Sequence, residues 1–133
     1  MLSEDYLKRI RAYQKVATDI RKDCSEASRS KDSLDKETVD TFDHLILLDE
    51  RGWQPSSQEW AGYLSRLKDD PAIKTVGIAV GGAYGFTEND RGKASKLVSL
   101  SSLVFPNEIA WLLLTEQLYR GFSILAGANY HHE

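Results

Sequence analysis

The chain has 133 residues, of which 41% are hydrophobic, and carries a formal net charge of −3 at pH 7. This length is enough to bury one core, so we expect a single domain over residues 1–133. The acidic balance argues against non-specific nucleic-acid binding, but not against a local basic patch. The single cysteine, Cys24, excludes an internal disulfide framework and a cysteine-based zinc site.

No apolar run approaches the ~20 residues that a membrane span requires. The start Met1-Leu-Ser-Glu-Asp5 lacks the pattern of a secretory signal. We therefore expect a cytoplasmic protein without a membrane partner.

The N-terminal part begins with a helix pattern. Ser3 is the expected cap, and Glu4 and Asp5 suit the positive end of the helix dipole. Residues 15–20 could continue this helix or form a strand, and their alternating β-branched residues favour a strand. Residues 22–35 are charged and serine-rich, which predicts a mobile solvated connector.

The middle of the chain predicts a βαβ unit. A short helix over residues 35–41 leads to a strand over 45–48, which is apolar without alternation and therefore buried on both faces. A turn is expected at 49–52. A helix then begins after Ser56 or Ser57, with Trp60, Tyr63, Leu64 and Leu67 on one side. A second buried strand follows over 73–80, so the fold class is α/β with a parallel sheet.

A glycine-rich turn, Gly81-Gly-Ala-Tyr-Gly85, follows this second strand. Glycines at that place let a backbone come close to a ligand at the carboxyl edge of the sheet. The pattern equally suits a tight turn without a ligand. A short helix is expected from Thr87, with Lys93 and Lys96 facing solvent.

The segment from Leu97 to Leu125 is the most apolar part of the chain. Its first residues could form a loop or a short strand, closed by Phe105-Pro106. A helix follows, with Asn107 as the expected N-cap. Its apolar residues form two stripes, one of Trp111, Leu114, Leu118, Phe122 and Leu125, the other of Ile109, Leu112, Leu113 and Ile124. One core cannot bury both, so we expect the second stripe to meet a neighbouring element or a second subunit. Glu116 and Arg120 on this helix need partners or a ligand.

Five segments together carry a family resemblance. They are Leu48-Asp49, Val80-Gly-Gly-Ala-Tyr-Gly85, Ser99-Leu-Ser-Ser-Leu-Val-Phe-Pro106, Glu116-Gln-Leu-Tyr-Arg120 and the terminal Tyr130-His-His-Glu133. The chain resembles the large-subunit ribosomal RNA methyltransferase H family of the SPOUT class over nearly its whole length. The resemblance implies methylation of N3 of a pseudouridine in 23S rRNA with S-adenosylmethionine. It also implies a deep C-terminal trefoil knot and an obligate homodimer.

The resemblance also implies the site residues. A cofactor cleft of three loops would contain Leu48, Gly82 and the third-loop residues Ser101, Ser102, Leu103, Val104, Phe105 and Pro106. Arg120, Tyr130 and His131 would meet the acceptor base or a phosphate of the ribosome's large-subunit rRNA. No metal site is expected, because His131, His132 and Glu133 are adjacent in sequence and rarely converge on one ion.

The chain departs from the family pattern at several positions. It opens at the first helix rather than at a strand, so one family strand is expected to be absent or supplied in another way. Asn107 replaces a usual histidine, and Trp111 and His132 replace usual cations. The alternative function is therefore a non-catalytic homodimer that binds S-adenosylmethionine or RNA without turnover. A third alternative is an ordinary open α/β nucleotide binder.

Overall fold

The computed structural model describes residues 2–14, 34, 36–81 and 85–127. Within this part the chain forms five helices and three strands. In chain order they are α1 (Leu2–Ile10), α2 (Lys36–Asp40), β1 (His44–Trp53), α3 (Ser57–Asp69), β2 (Val76–Val80), α4 (Glu88–Lys93), β3 (Lys96–Val98) and α5 (Asn107–Leu125). The predicted strand over 15–20 lies outside the described residues, as does the connector over 22–35 apart from Leu34. None of the helices in the described part has the length and apolar character needed to cross a membrane.

The three strands form a parallel sheet in the order β2-β1-β3. β1 is central, and its residues Leu45, Ile46 and Leu47 are all buried. An apolar run without alternation is what a strand covered on both faces requires. The predicted α/β class and parallel strand pair are therefore confirmed.

The predicted strand bounds need correction. β1 does not end at a turn after Leu48 but continues to Trp53. Its pairing with β3 shifts in register, because Leu48 and Trp53 both pair with Val98. Gly52 makes this approach feasible, because a Cβ there would lie 2.4 Å from the carbonyl carbon of Leu97. β2 begins at Val76 rather than at residue 73.

Two apolar layers cover the sheet. On one face, Ile46 and Val98 of the sheet pack with buried residues of α1, α3 and α5. On the other face, Leu45 and Leu47 pack with Leu34 and Phe86. The predicted face of α3 is confirmed, because Trp60, Tyr63, Leu64 and Leu67 are all buried.

The helix starts follow the predicted chemistry in two cases. Ser56 caps α3 and Thr87 caps α4, each in a capping box with the acidic residue three positions later. The prediction for α5 is wrong, since Asn107 is its first helical residue and the preceding Pro106 makes no side-chain cap. Ser3 likewise lies inside α1, which begins at Leu2.

Two lysines predicted to face solvent are half-buried instead. Lys93 donates a hydrogen bond from Nζ to the carbonyl oxygen of Leu34 at 2.7 Å. Lys96 places Nζ 4.9 Å from the centre of the Trp53 ring, a cation–π distance. Lys93 therefore connects the end of α4 to Leu34, and Lys96 connects the start of β3 to the end of β1.

The two stripes of α5 differ in burial. In the first stripe, Leu114 and Phe122 are buried and Trp111 and Leu118 pack against the core, whereas Leu125 is exposed. In the second stripe, Ile109 is exposed and the other residues, Leu112, Leu113 and Ile124, are half-buried. The described part of the protomer thus leaves the second stripe incompletely covered.

Candidate functional site

A cleft lies at the carboxyl edge of the sheet, where ligands of open parallel sheets bind. Its walls are residues 48–50 of β1, the residues that follow β2, the loop after β3 and the first turn of α5. The cleft has a volume of about 280 Å³. The loop after β3, comprising residues 99–106, is its longest wall and is called the third loop below.

Five of the predicted cofactor-binding residues line this cleft: Leu48, Ser101, Leu103, Val104 and Phe105. The other third-loop predictions, Ser102 and Pro106, do not line it. Gly82 lies outside the described residues, but Gly81 and Gly85 on either side of it line the cleft. Residues from three segments that are distant in sequence therefore line one cleft.

The third loop is held in shape by its serines. The amide of Ser99 donates to the carbonyl oxygen of Trp53 at 2.6 Å, which ties the loop to the end of β1. The Ser99 hydroxyl donates to the carbonyl oxygen of Ser101, and the Ser101 hydroxyl accepts from the amide of Leu103. These bonds present Leu103 and Val104 outward, where they are 69% and 81% exposed.

The two described glycines of the glycine turn, Gly81 and Gly85, differ in their surroundings. A Cβ added at Gly81 would lie 3.1 Å from Cα of Gly85 and 3.2 Å from the Phe86 ring. Gly85 has φ +69°, a left-handed conformation that glycine adopts without strain. Close packing is therefore observed at Gly81, whereas a Cβ at Gly85 would meet nothing within 4 Å and is disfavoured only by the backbone conformation.

A buried ion pair supports the wall at Asp49. Oδ2 of Asp49 lies 2.7 Å from Nε of Arg91. Nη1 of Arg91 also lies 2.6 Å from Oε1 of Glu88. The hydrogen bond to Asp49 raises the pKa of Arg91. Arg51 reaches the same Glu88 oxygen. The pair joins β1 to α4 and gives the buried carboxylate of Asp49 a cationic partner.

Arg120 lies in α5, ten residues beyond Ala110, the last residue of that helix to line the cleft. At ~1.5 Å per residue this is about 15 Å along the helix axis. Arg120 is 24% exposed and forms an ion pair with Glu116 at 2.6 Å. The expectation that these two residues need partners is confirmed. Tyr130 and His131 lie outside the described residues.

A second cavity of about 290 Å³ adjoins the first. Leu48 and Leu100 line both cavities. Ser57 at the start of α3 and Gln117 of α5 line the second, and the Ser57 hydroxyl donates to Oε1 of Gln117 at 2.8 Å. Among the residues that the structure describes, no group of three or more His, Cys, Asp or Glu side chains could hold a metal ion.

Comparison with known proteins gives the family. Residues 1–131 match the family model described as predicted SPOUT methyltransferase. The chain belongs to the SPOUT methyltransferase family.

Relatives of this chain from Geobacter, Flavobacterium and Geotalea share one name. The chain is similar to the ribosomal RNA large subunit methyltransferase H of Geobacter sulfurreducens, with 38% identity over 97% of this chain and 87% of the relative. It is similar to the protein of that name from Flavobacterium johnsoniae, with 37% identity over 99% of this chain and 88% of the relative. The Geotalea daltonii protein is 48% identical over 66% of this chain and 57% of its own length. The predicted family is thus confirmed.

Two polar contacts of this SPOUT chain were not predicted from the sequence, the Asp49–Arg91 ion pair and the Ser57–Gln117 hydrogen bond. Each joins residues far apart in the chain, by 42 and 60 positions respectively. Only the Glu88–Arg91 and Glu116–Arg120 pairs had a local signal, their helical spacing of three and four residues.

Proposed function

We propose that this protein is an S-adenosylmethionine-dependent methyltransferase that acts on N3 of a pseudouridine in 23S rRNA. The observation that carries the proposal is the cleft formed by Leu48, the glycine turn and the third loop. It occurs in a member of the SPOUT methyltransferase family whose full-length relatives are named ribosomal RNA large subunit methyltransferase H.

The cleft residues divide the work of holding the cofactor. Leu48, Leu103 and Phe105 supply apolar walls for the adenine. By the family resemblance we assign Gly82 to the same site, as a residue without a side chain to obstruct the ligand. Ser102 and Pro106 act through the shape of the third loop. The bound cofactor supplies an electrophilic methyl group on a sulfonium. Because transfer is an in-line displacement, positioning is the main task of the protein.

The acceptor N3 carries a proton at neutral pH. This proton would pass to solvent as the N–C bond forms, and the cofactor would leave as a neutral thioether when its S–CH3 bond breaks. We assign Arg120 to the rRNA, where its guanidinium holds a phosphate or polarises the acceptor base. Tyr130 and His131 stack on, or hydrogen-bond to, that base. We propose no role for a metal ion in this reaction. These assignments rest on the family resemblance of the C-terminal segments.

Two architectural proposals accompany the function. We propose that the C-terminal part forms a deep trefoil knot, supported by family membership. We also propose a homodimer built on the second stripe of α5, supported by the exposure of Ile109. A second copy packed antiparallel along α5 would bring the Arg120 end of one protomer towards the cleft of the other. A protein that modifies ribosomes in this way would work in the cytoplasm.

The test combines binding and turnover. Calorimetric titration should give a defined affinity for S-adenosylmethionine, and labelled methyl groups should appear in large-subunit rRNA from ribosomes lacking the modification. Deleting residues 129–133 should eliminate incorporation and leave cofactor affinity within about tenfold, ~1.4 kcal/mol. Cofactor binding without incorporation by the full chain would contradict the proposal and favour the non-catalytic alternative. Equal incorporation by both forms would remove Tyr130 and His131 from the mechanism.

A further inference from the structure

The guanidinium of Arg120 is fixed along one edge. Its Nε and Nη2 donate to the same oxygen, Oε1 of Glu116, at 2.9 and 2.6 Å. The two side chains are 24% and 16% exposed, so solvent screens the pair less than a surface pair. Two bonds to one edge determine both the position and the plane of the guanidinium.

The carboxylate that holds Arg120 is itself held. Oε2 of Glu116 accepts a hydrogen bond from Nε2 of Gln117 at 2.8 Å. Neighbouring side chains on a helix do not normally face each other, so a bond between residues 116 and 117 is not the usual helical pairing. The Ser57 hydroxyl holds the Gln117 amide in this arrangement, because it donates to Oε1 of Gln117 at 2.8 Å from the first turn of α3.

The result is a chain of hydrogen bonds that crosses from one helix to another, which we call the Arg120 network: Ser57, Gln117, Glu116 and Arg120. An ion pair four residues apart forms on a helix without further help and contributes only about 0.3–0.5 kcal/mol to stability when exposed. Two additional members, one from a different helix, add little to that pairing. They do restrict where the carboxylate, and hence the guanidinium, can lie.

We propose that Glu116, Gln117 and Ser57 are positioning residues that fix the guanidinium of Arg120 for contact with the rRNA. The proposal rests on the proposed function, because the rRNA contact of Arg120 belongs to it. Displacement of a positioned group by about 1 Å can lower a reaction rate about a hundredfold. A network that holds Arg120 should therefore affect the rate of rRNA methylation and leave the cofactor cleft unchanged.

The test uses Glu116→Gln and the milder Ser57→Ala in the full chain. Glu116→Gln removes the charge but keeps the shape, and Ser57→Ala removes only the donor to Gln117. We expect kcat for rRNA methylation to fall at least tenfold in Glu116→Gln and about threefold in Ser57→Ala. The affinity for S-adenosylmethionine should stay within twofold of the unmodified protein. Glu108→Gln in α5 and Ser65→Ala in α3 are the matched controls and should retain full kcat.

A double-mutant cycle separates positioning from an independent structural role. In an Arg120→Gln background, where the glutamine can still donate to Glu116, adding Glu116→Gln should lower kcat no further. A further loss that multiplies the two single effects would overturn the proposal. Unchanged kcat in both Glu116→Gln and Ser57→Ala would overturn it as well.

A spectroscopic readout is independent of turnover. The Nε proton of Arg120 should exchange slowly with solvent in the unmodified protein and faster in Ser57→Ala, as followed in ¹H–¹⁵N spectra. Equal exchange in both would overturn the network. If the unmodified protein binds S-adenosylmethionine but transfers no methyl group, the proposed function fails, and this exchange measurement still decides whether Ser57 holds Arg120.

Discussion

Asp49 and Arg91 form an ion pair in which Oδ2 and Nε are 2.7 Å apart, with only 3% and 15% of the two side chains exposed. The carboxylate is fixed on its other side as well, because Oδ1 accepts from the amide of Arg51 at 2.9 Å. Asp49 follows Leu48 and lines the cleft. The edge of the sheet that would bind the cofactor is therefore supported by α4.

Arg91→Ala should destabilise the protein, because it leaves the Asp49 carboxylate buried without its cation. We expect a loss of about 2–3 kcal/mol in the free energy of unfolding, below the value for a fully buried pair since Arg91 is partly exposed. Urea unfolding would measure this. Arg51→Ala is the matched control. Its pair with Glu88 is largely exposed, at 60% and 81%, so the loss should stay under about 1 kcal/mol. Equal losses in the two variants would contradict a special role for Asp49.

The test of the proposed dimer depends on which residue of α5 is substituted. Leu114 belongs to the core of the protomer, with 2% exposure, so charging it would test folding rather than association. Ile109, with 44% exposure, is the informative position. Ile109→Glu should give a folded monomer in sedimentation analysis, because it places a charge on the second stripe. Val76→Glu, at a similarly exposed position on β2, should leave the oligomeric state unchanged. A monomeric unmodified chain would end the proposal.

Local patterns were sufficient to predict most elements of the fold. The apolar run of β1, the serine cap of α3 and the apolar face of α3 each depend on residues close together in the chain. The family resemblance assigned three segments to one cleft, and Leu48, Ser101, Leu103, Val104 and Phe105 line a common cavity, whereas Ser102 and Pro106 do not. Their role in binding a cofactor stays a prediction.

Several of the errors share a physical cause, because they depend on contacts between distant residues. The caps expected at Ser3 and Asn107 are instead local errors in where a helix begins. β1 continues past its predicted end because Gly52 can approach the backbone of Leu97. Lys93 is half-buried because a carbonyl oxygen 59 residues away accepts its hydrogen bond. The Arg120 network closes only when α3 and α5 pack together. No spacing within a single segment carries such information.

The pair of His44 and Tyr63 predicts a pH dependence of stability. Their side chains share a hydrogen bond between Nε2 and the hydroxyl. Burial lowers the pKa of His44 below its ordinary value of 6.5, and Lys96 lowers it further. Below pH 6.5 the unfolded chain therefore binds a proton that the folded protein does not. The histidine's contribution is fully present above pH 6.5 and is lost as the pH falls through the lower folded pKa.

Urea midpoints between pH 7.5 and pH 5 would measure this loss. His44→Gln should flatten the profile in that range. Tyr63→Phe is the control, since it removes the hydroxyl but keeps His44 covered. It should lower stability by about 1 kcal/mol at all these pH values and leave the slope in place, because burial is the main cause of the shift. An unaltered profile in His44→Gln would assign the pH dependence to other groups.

The third loop offers a direct test of the cofactor position. Leu103 lines the cleft with 69% of its surface exposed, so its truncation should hardly affect the free protein. If the adenine covers it, Leu103→Ala removes apolar contact that exists only in the complex. At ~0.8 kcal/mol per methylene, partial coverage gives a loss of about 1.4 kcal/mol, or tenfold in affinity.

Leu2→Ala is the matched control for Leu103→Ala, because Leu2 is similarly exposed at 65% but belongs to α1 and does not line the cleft. Calorimetric titration of both variants with S-adenosylmethionine and with S-adenosylhomocysteine makes the comparison. Both ligands carry the same adenosine, so Leu103→Ala should weaken them equally, whereas Leu2→Ala should change neither. A loss confined to S-adenosylmethionine would place Leu103 near the sulfonium instead of the adenine. Equal affinities in the two variants would show that the adenosine does not contact Leu103 of the third loop. That result would contradict the assignment of the cofactor to this cleft.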